Sequence, residues 1–170
     1  ECDVVTLEEF QQLLDLKQLN KNRYAAHRKR VALIILYCTG VRVSNLLKFK
    51  VFNIMELMKT GKTKIDIIKK GPKLQDIILS SLAKQIVKKN IKHFQAIVAQ
   101  KTSNDPAFTG RNDFKRNVHQ NVLKRELNHI LEKLSIIINK HIRSHSFRAT
   151  VITELMETQP LQTVAAFIGH

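Results

Sequence analysis

The sequence predicts a mainly α (α+β) domain, in which amphipathic helices surround one buried helix and a small antiparallel hairpin. Three observations predict it. Apolar residues recur at helical spacing over most of the 170 residues. One run, Val31 to Tyr37, is apolar on every side, the pattern of a central buried helix. Two isoleucine-rich runs flank Lys70-Gly71-Pro72-Lys73 and read as strands joined by a turn. The length fits a single domain, residues 1–170, with enough chain to bury a core.

The elements follow in order. Thr6-Leu7-Glu8-Glu9 has the capping-box pattern, and Leu7, Phe10, Leu13 and Leu14 continue it as an amphipathic helix. A polar stretch, Gln18 to Arg23, ends it. The buried helix is expected from Tyr24 to Cys38, closed by Gly40 in a left-handed cap. Arg42 then falls at the start of a short helix, Val43 to Lys48, where Ser44 could cap free N–H groups. Val51-Phe52-Asn53-Ile54 reads as an edge strand, and the hairpin strands as Lys64–Lys69 and Leu74–Leu79. Ser80 or Ser81 caps a long helix reaching Gln100. A loop, Lys101 to Asp113, precedes a helix over Phe114–Ile138 whose first half carries Lys115, Arg116, His119, Lys124 and Arg125. After Asn139–Ser144 comes a helix bearing His145 and Arg148. A last short helix is announced by Pro160 and closed by Gly169.

Charge is the unusual feature of the composition. Lys and Arg total 29 against 14 Asp and Glu, a net charge of +15 spread along the chain. That favours a polyanionic partner held by the folded domain, nucleic acid first and an anionic membrane surface second. No apolar stretch approaches membrane-spanning length. Cys2 and Cys38 suggest neither a disulfide framework nor a zinc site, and Cys38 reads as a small core residue in a reducing compartment. With no Trp and only Tyr24 and Tyr37, phosphate contacts should outweigh base stacking.

Several residues could carry chemistry. Arg42 follows a cap glycine at a helix start, where unpaired N–H groups favour an anion, although a surface arginine paired with a carboxylate fits the same pattern. Lys70 at a hairpin tip is either solvated or placed beside a leaving oxygen. His145 and Arg148 share a helix face, where a guanidinium can grip phosphate oxygens and an imidazole can move a proton. His170 is a further candidate or a helix-end residue. The basic start of the Phe114–Ile138 helix, with Lys115, Arg116 and His119, could enter a major groove or be a solvated face.

Taken jointly, Thr39-Gly40-Val41-Arg42-Val43-Ser44, Ile68-Lys69-Lys70-Gly71-Pro72-Lys73, His145-Ser146-Phe147-Arg148 and Ile168-Gly169-His170 resemble the motifs of the tyrosine recombinases, the phage integrase family, in order and spacing. The resemblance implies that family's catalytic-domain fold and DNA cutting and rejoining through a 3′-phosphotyrosine. It makes Arg42, Lys70, His145, Arg148 and His170 catalytic, with Lys73 and Lys69 as alternatives to Lys70. Lys69, Lys73, Lys115, Arg116 and His119 are the expected DNA contacts. No cofactor and no metal are implied. The expected partner is double-stranded DNA, bound as a homo-oligomer (a synaptic tetramer), with no membrane association. The expected setting is cytoplasmic, in a bacterium or on a phage or plasmid.

Asn45 stands where the family commonly has an acidic residue, and Ala149 where a second histidine often follows the arginine; both are expected to tune the site's support. The family's nucleophilic tyrosine is expected shortly after His170; one found within roughly 11 residues, three helical turns, would mark an enzyme. No tyrosine of this chain has a matching position, and an upstream DNA-clamping domain is also expected outside it. A non-catalytic DNA-binding or regulatory relative and a type IB topoisomerase-like enzyme are the alternatives on the same fold. A helical RNA-binding module would explain the charge but not the ordered motifs.

Overall fold

The computed structural model describes residues 3–68, 72–144 and 146–147. The first helix, α1 (Leu7–Leu14), starts as its sequence dictates. The Thr6 hydroxyl accepts from the Glu9 N–H at 3.2 Å, while the Glu9 carboxylate accepts from the Thr6 N–H at 3.0 Å. After a 3-10 turn at Lys17–Leu19, α2 (Tyr24–Thr39) runs through the core, buried without a break from Val31 to Tyr37. Gly40 ends it at φ 68°, a conformation that costs a residue with a Cβ but not glycine.

The next helix, α3, spans Val43–Leu46 with Arg42 as its N-cap residue; no side chain caps it, so Ser44 does not play the expected part. Residues 51–54 are helical rather than an edge strand. They open α4 (Val51–Thr60), because the Asn53 carboxamide oxygen accepts the Lys50 N–H at 2.8 Å and starts the helical turn. The same amide donates to Thr63 Oγ1 at 2.8 Å and the Lys64 carbonyl at 2.9 Å, fixing α4 on the following strand. Gly61, at φ 74°, closes α4.

The hairpin is present as β1 (Lys62–Ile68) and β2 (Pro72–Ile78), antiparallel with Ile65 opposite Gln75 and Ile67 opposite Lys73. Ile65, Ile67 and Ile77 point into the core, and the alternate residues point out. Proline at the first position of β2 suits a strand with one free edge.

The long helix predicted from Ser80 to Gln100 is two helices, α5 (Ser81–Lys89) and α6 (Ile91–Val98). Ser80 caps the first through the Ala83 N–H at 3.1 Å. The break is at Asn90, whose amide donates back to the Ile86 carbonyl at 2.8 Å and whose oxygen accepts from Arg30 Nε at 2.9 Å. A buried asparagine serving another helix has left the α-helical path, at φ −108° and ψ 18°.

Helix α7 begins at Gln120 and not at Phe114; it runs to Ile138. Residues 114–119 belong to the preceding loop, because their groups are bound elsewhere. The Val118 N–H donates to the Phe108 carbonyl at 2.9 Å, Asn117 Nδ2 donates to the Leu47 carbonyl at 3.0 Å, and Asp113 Oδ1 accepts the Lys115 N–H at 3.0 Å. Helices α1, α3, α5, α6 and α7 pack around α2 or each other, and α4 carries the hairpin. No helix among the described residues is long and apolar enough to cross a membrane.

Candidate phosphate-binding site

Arg42 is exposed between the buried Val41 and Val43, which pin its backbone while its side chain faces outward. Thr39 fixes the turn that aims it. Its hydroxyl donates to the Ile35 carbonyl at 2.6 Å and accepts the Val41 N–H at 3.3 Å. The Arg42 guanidinium makes no ion pair or side-chain hydrogen bond among the described residues. It lines a recess of about 160 Å³ together with Val41, Val43, Ser44, Gln120, Lys124 and Ser144. A guanidinium without a counter-charge, beside hydroxyls and an ammonium, is suited to an anion supplied from outside.

Ser144, which immediately precedes the His145-Ser146-Phe147-Arg148 segment, shares this recess with the Arg42 segment. The approach to His145 is fixed by contacts far apart in sequence. Asn139 ends α7 at φ 53°, Lys140 pairs with Glu9 at 2.8 Å, and the His141 N–H donates to Asp3 Oδ2 at 2.8 Å. Ser146 Oγ accepts the Arg143 N–H at 3.2 Å, and Ser144, Ser146 and Phe147 have helical backbone. Phe147 is fully buried, edge-on to Phe10 at 5.7 Å and to Tyr37 at 5.6 Å. This phenylalanine anchors the middle of the His145-Ser146-Phe147-Arg148 segment in the core.

Lys69, Lys70, His145, Arg148 and His170 themselves lie outside the described residues, as do Cys2 and the helix predicted after Pro160. Of the expected DNA contacts, Lys73 is exposed on β2. Lys115 pairs with Asp105 at 2.8 Å, and Arg116 with Asp113 at 2.9 Å. The Lys115 ammonium and then the Thr102 amide hold the Asp105 carboxyl below its usual pKa. The Lys115 N–H, followed by Arg116, does the same for Asp113. His119 is the N-cap of α7, its Nδ1 accepting the Asn121 N–H at 3.1 Å. None of these three lines the Arg42 recess. Gln120 and Lys124 do; the signal for them is their spacing of one helical turn, which becomes readable only once the helix start is known.

Both tyrosines have structural duties. Tyr37 is buried and stacks on Phe10 with ring centroids 4.0 Å apart. The Tyr24 hydroxyl accepts from Lys101 Nζ at 2.7 Å and lies 2.8 Å from Thr109 Oγ1. Cys38 is half-buried at the edge of the core.

Comparison with known proteins identifies the family and the fold. The chain is 29% identical over 172 residues to the tyrosine recombinase XerD of Staphylococcus haemolyticus, a match covering 99% of this chain and 54% of that protein. With XerC of Rickettsia canadensis the identity is 25% over 159 residues, covering 93% and 48%. The chain thus spans about half the length of the curated relatives it matches. Among solved structures, XerA recombinase superposes with a TM-score of 0.70 at 17% identity, over 98% of this chain and 54% of that one. XerH bound to its palindromic difH substrate gives 0.64 at 16% identity, over 99% and 46%. The sequence profile of the phage integrase family matches residues 3–170, and the chain belongs to that family.

Proposed function

We propose that this chain is the catalytic half of a site-specific tyrosine recombinase that cuts and rejoins duplex DNA through a 3′-phosphotyrosine. The observation that carries the reading is the exposed Arg42, without an ion pair among the described residues, in a recess shared with the residue preceding His145. Family membership supplies the reaction class.

Rejoining DNA without a high-energy cofactor requires that the phosphodiester energy be conserved. A tyrosine oxygen, supplied from beyond His170, attacks phosphorus; the bond to the 5′ oxygen breaks, and a 3′-phosphotyrosine and a 5′-hydroxyl result. Negative charge grows on the non-bridging oxygens in the transition state. Arg42 and Arg148 hold it with paired N–H donors, so the stabilisation is larger there than in the ground state. Lys70, or Lys73 or Lys69 in its place, protonates the leaving 5′ oxygen. His145 takes the tyrosine proton, and His170 bonds a non-bridging oxygen or orients the nucleophile. Lys69, Lys73, Lys115, Arg116 and His119 contact the DNA around the scissile phosphate.

Double-stranded DNA as partner is supported by the net charge and by relatives solved with DNA, XerH with difH and the Tn1549 integrase with transposon right-end DNA. A palindromic site, as in the XerH complex, offers two equivalent half-sites. By the same logic this protein assembles as a homo-oligomer, a tetramer at synapsis. A cytoplasmic setting fits the bacterial relatives.

Arg148→Ala, made in the protein that includes the tyrosine after His170, tests the mechanism. It should retain DNA binding and lose the covalent protein–DNA complex on a nicked duplex. An undiminished covalent complex would overturn the role of Arg148.

A further inference from the structure

The cations at the start of the α7 region are not equivalent. Lys115 is tied to Asp105 and Arg116 to Asp113, and His119 is used as a helix cap. Lys124 is different. It is exposed, has no ion pair among the described residues, and lines the recess with Arg42. One turn to either side on α7 stand Gln120, Asn121, Leu127 and Asn128, so its own helix offers no carboxylate. The nearby Glu126 is held by both oxygens on Arg28, at 3.0 and 2.9 Å.

The recess has room for a small anion. At about 30 Å³ for each water-sized group, about 160 Å³ accommodates a tetrahedral phosphate. Ser44 and Ser144 add hydroxyl donors at its wall, and Gln120 an amide.

We infer that Lys124 binds a backbone phosphate of the DNA at the recess it lines with Arg42, making it a further substrate-contacting residue outside the motif set. The inference rests on the proposed DNA-cleaving function. It gives α7 a defined part: its first two turns hold the sugar–phosphate backbone against the Arg42 wall.

The test is equilibrium binding of the full-length protein to two labelled duplexes of unrelated sequence over a range of salt concentration. Wild type should show a steep loss of affinity with salt. Lys124→Gln should weaken binding to both duplexes alike and lower the log–log salt slope by about 0.9, the value for one phosphate contact. Lys124→Arg should restore the slope. Lys88→Gln removes the same charge at an exposed site away from the recess and should leave the slope unchanged. An unchanged slope in Lys124→Gln, beside a steep wild-type slope, overturns the phosphate contact and leaves the recombinase reading intact. Weakening on only one duplex overturns it in favour of base readout. An equal effect of Lys88→Gln reduces it to net charge. A flat wild-type response overturns both readings.

Discussion

Arg28 and Arg42 are carried by the same stretch of chain, the first within α2 and the second just beyond its glycine cap, and the fold treats them in opposite ways. Arg28 is 6% exposed, and its guanidinium donates to the Thr109 carbonyl at 2.9 Å and to both oxygens of Glu126. It thereby fastens the 101–119 loop and α7 to the central helix. Arg42 is exposed, with no counter-charge among the described residues. An arginine given its carboxylate within the fold contributes to architecture. One left without it is available to an anion from outside, which is what a phosphate-handling site requires.

Breaking the Arg28 side should have the largest effect on stability. Arg28→Ala leaves Glu126 partly buried without its cation, which costs about 3–5 kcal/mol. At about 2–4 °C per kcal/mol for a domain of this size, thermal denaturation should detect it easily. An unchanged melting temperature would show that the pair is not the clamp described here. Arg42→Ala should do the reverse. Stability should change by no more than about 0.5 kcal/mol, while covalent-complex formation falls about 10²–10³-fold, the usual loss of one charge-stabilising donor. A melting temperature falling as far as in Arg28→Ala would erase the distinction between the two arginines.

A smaller effect is expected at a pair of histidines. His27 and His93 face each other across α2 and α6 with their Nδ1 atoms 2.8 Å apart. Asn22 Oδ1, an acceptor 3.2 Å from His27 Nε2, places the neutral His27 proton on Nε2. His93 then donates across the pair. Burial, then Arg30, His27 and Lys92, push His93 down to about 4. Burial, then Lys92 and Arg30, also lower His27. Both rings stay neutral in the folded protein while the unfolded chain binds protons, so stability is complete above pH 6.5 and declines as pH falls toward about 4. Discounted for solvent screening of a half-buried pair, the loss is about 1 kcal/mol. Melting temperatures of wild type and His93→Gln across this window should converge at the acid end. Parallel curves would rule the pair out as the source.

Features governed by neighbours in sequence were legible in the sequence. The Thr6–Glu9 capping box, the Gly40 cap, the all-apolar run of α2 and the alternation of the hairpin each depend on interactions within a few residues. The family was legible in the same way, from short motif segments. The misread elements share a different cause. Residues 51–54 are rich in strand-forming side chains, but Asn53 starts a helix there and is held by Thr63 and Lys64. Asn90 breaks a helix because Arg30, on another helix, needs its oxygen. Lys115, Arg116 and His119 fall off α7 because Phe108, Asp105 and Asp113 claim that loop.

By itself, then, the sequence determined the helical class, the central helix, the hairpin and the family of the chain. Only the tertiary structure decided which arginine is structural and which has no counter-charge among the described residues, and that Lys124 rather than Lys115 lines the recess with Arg42. The physical reason is range. Caps and periodicity are set by local hydrogen bonds and the hydrophobic effect, whereas the state of a charged side chain depends on whether the fold delivers a counter-charge to it.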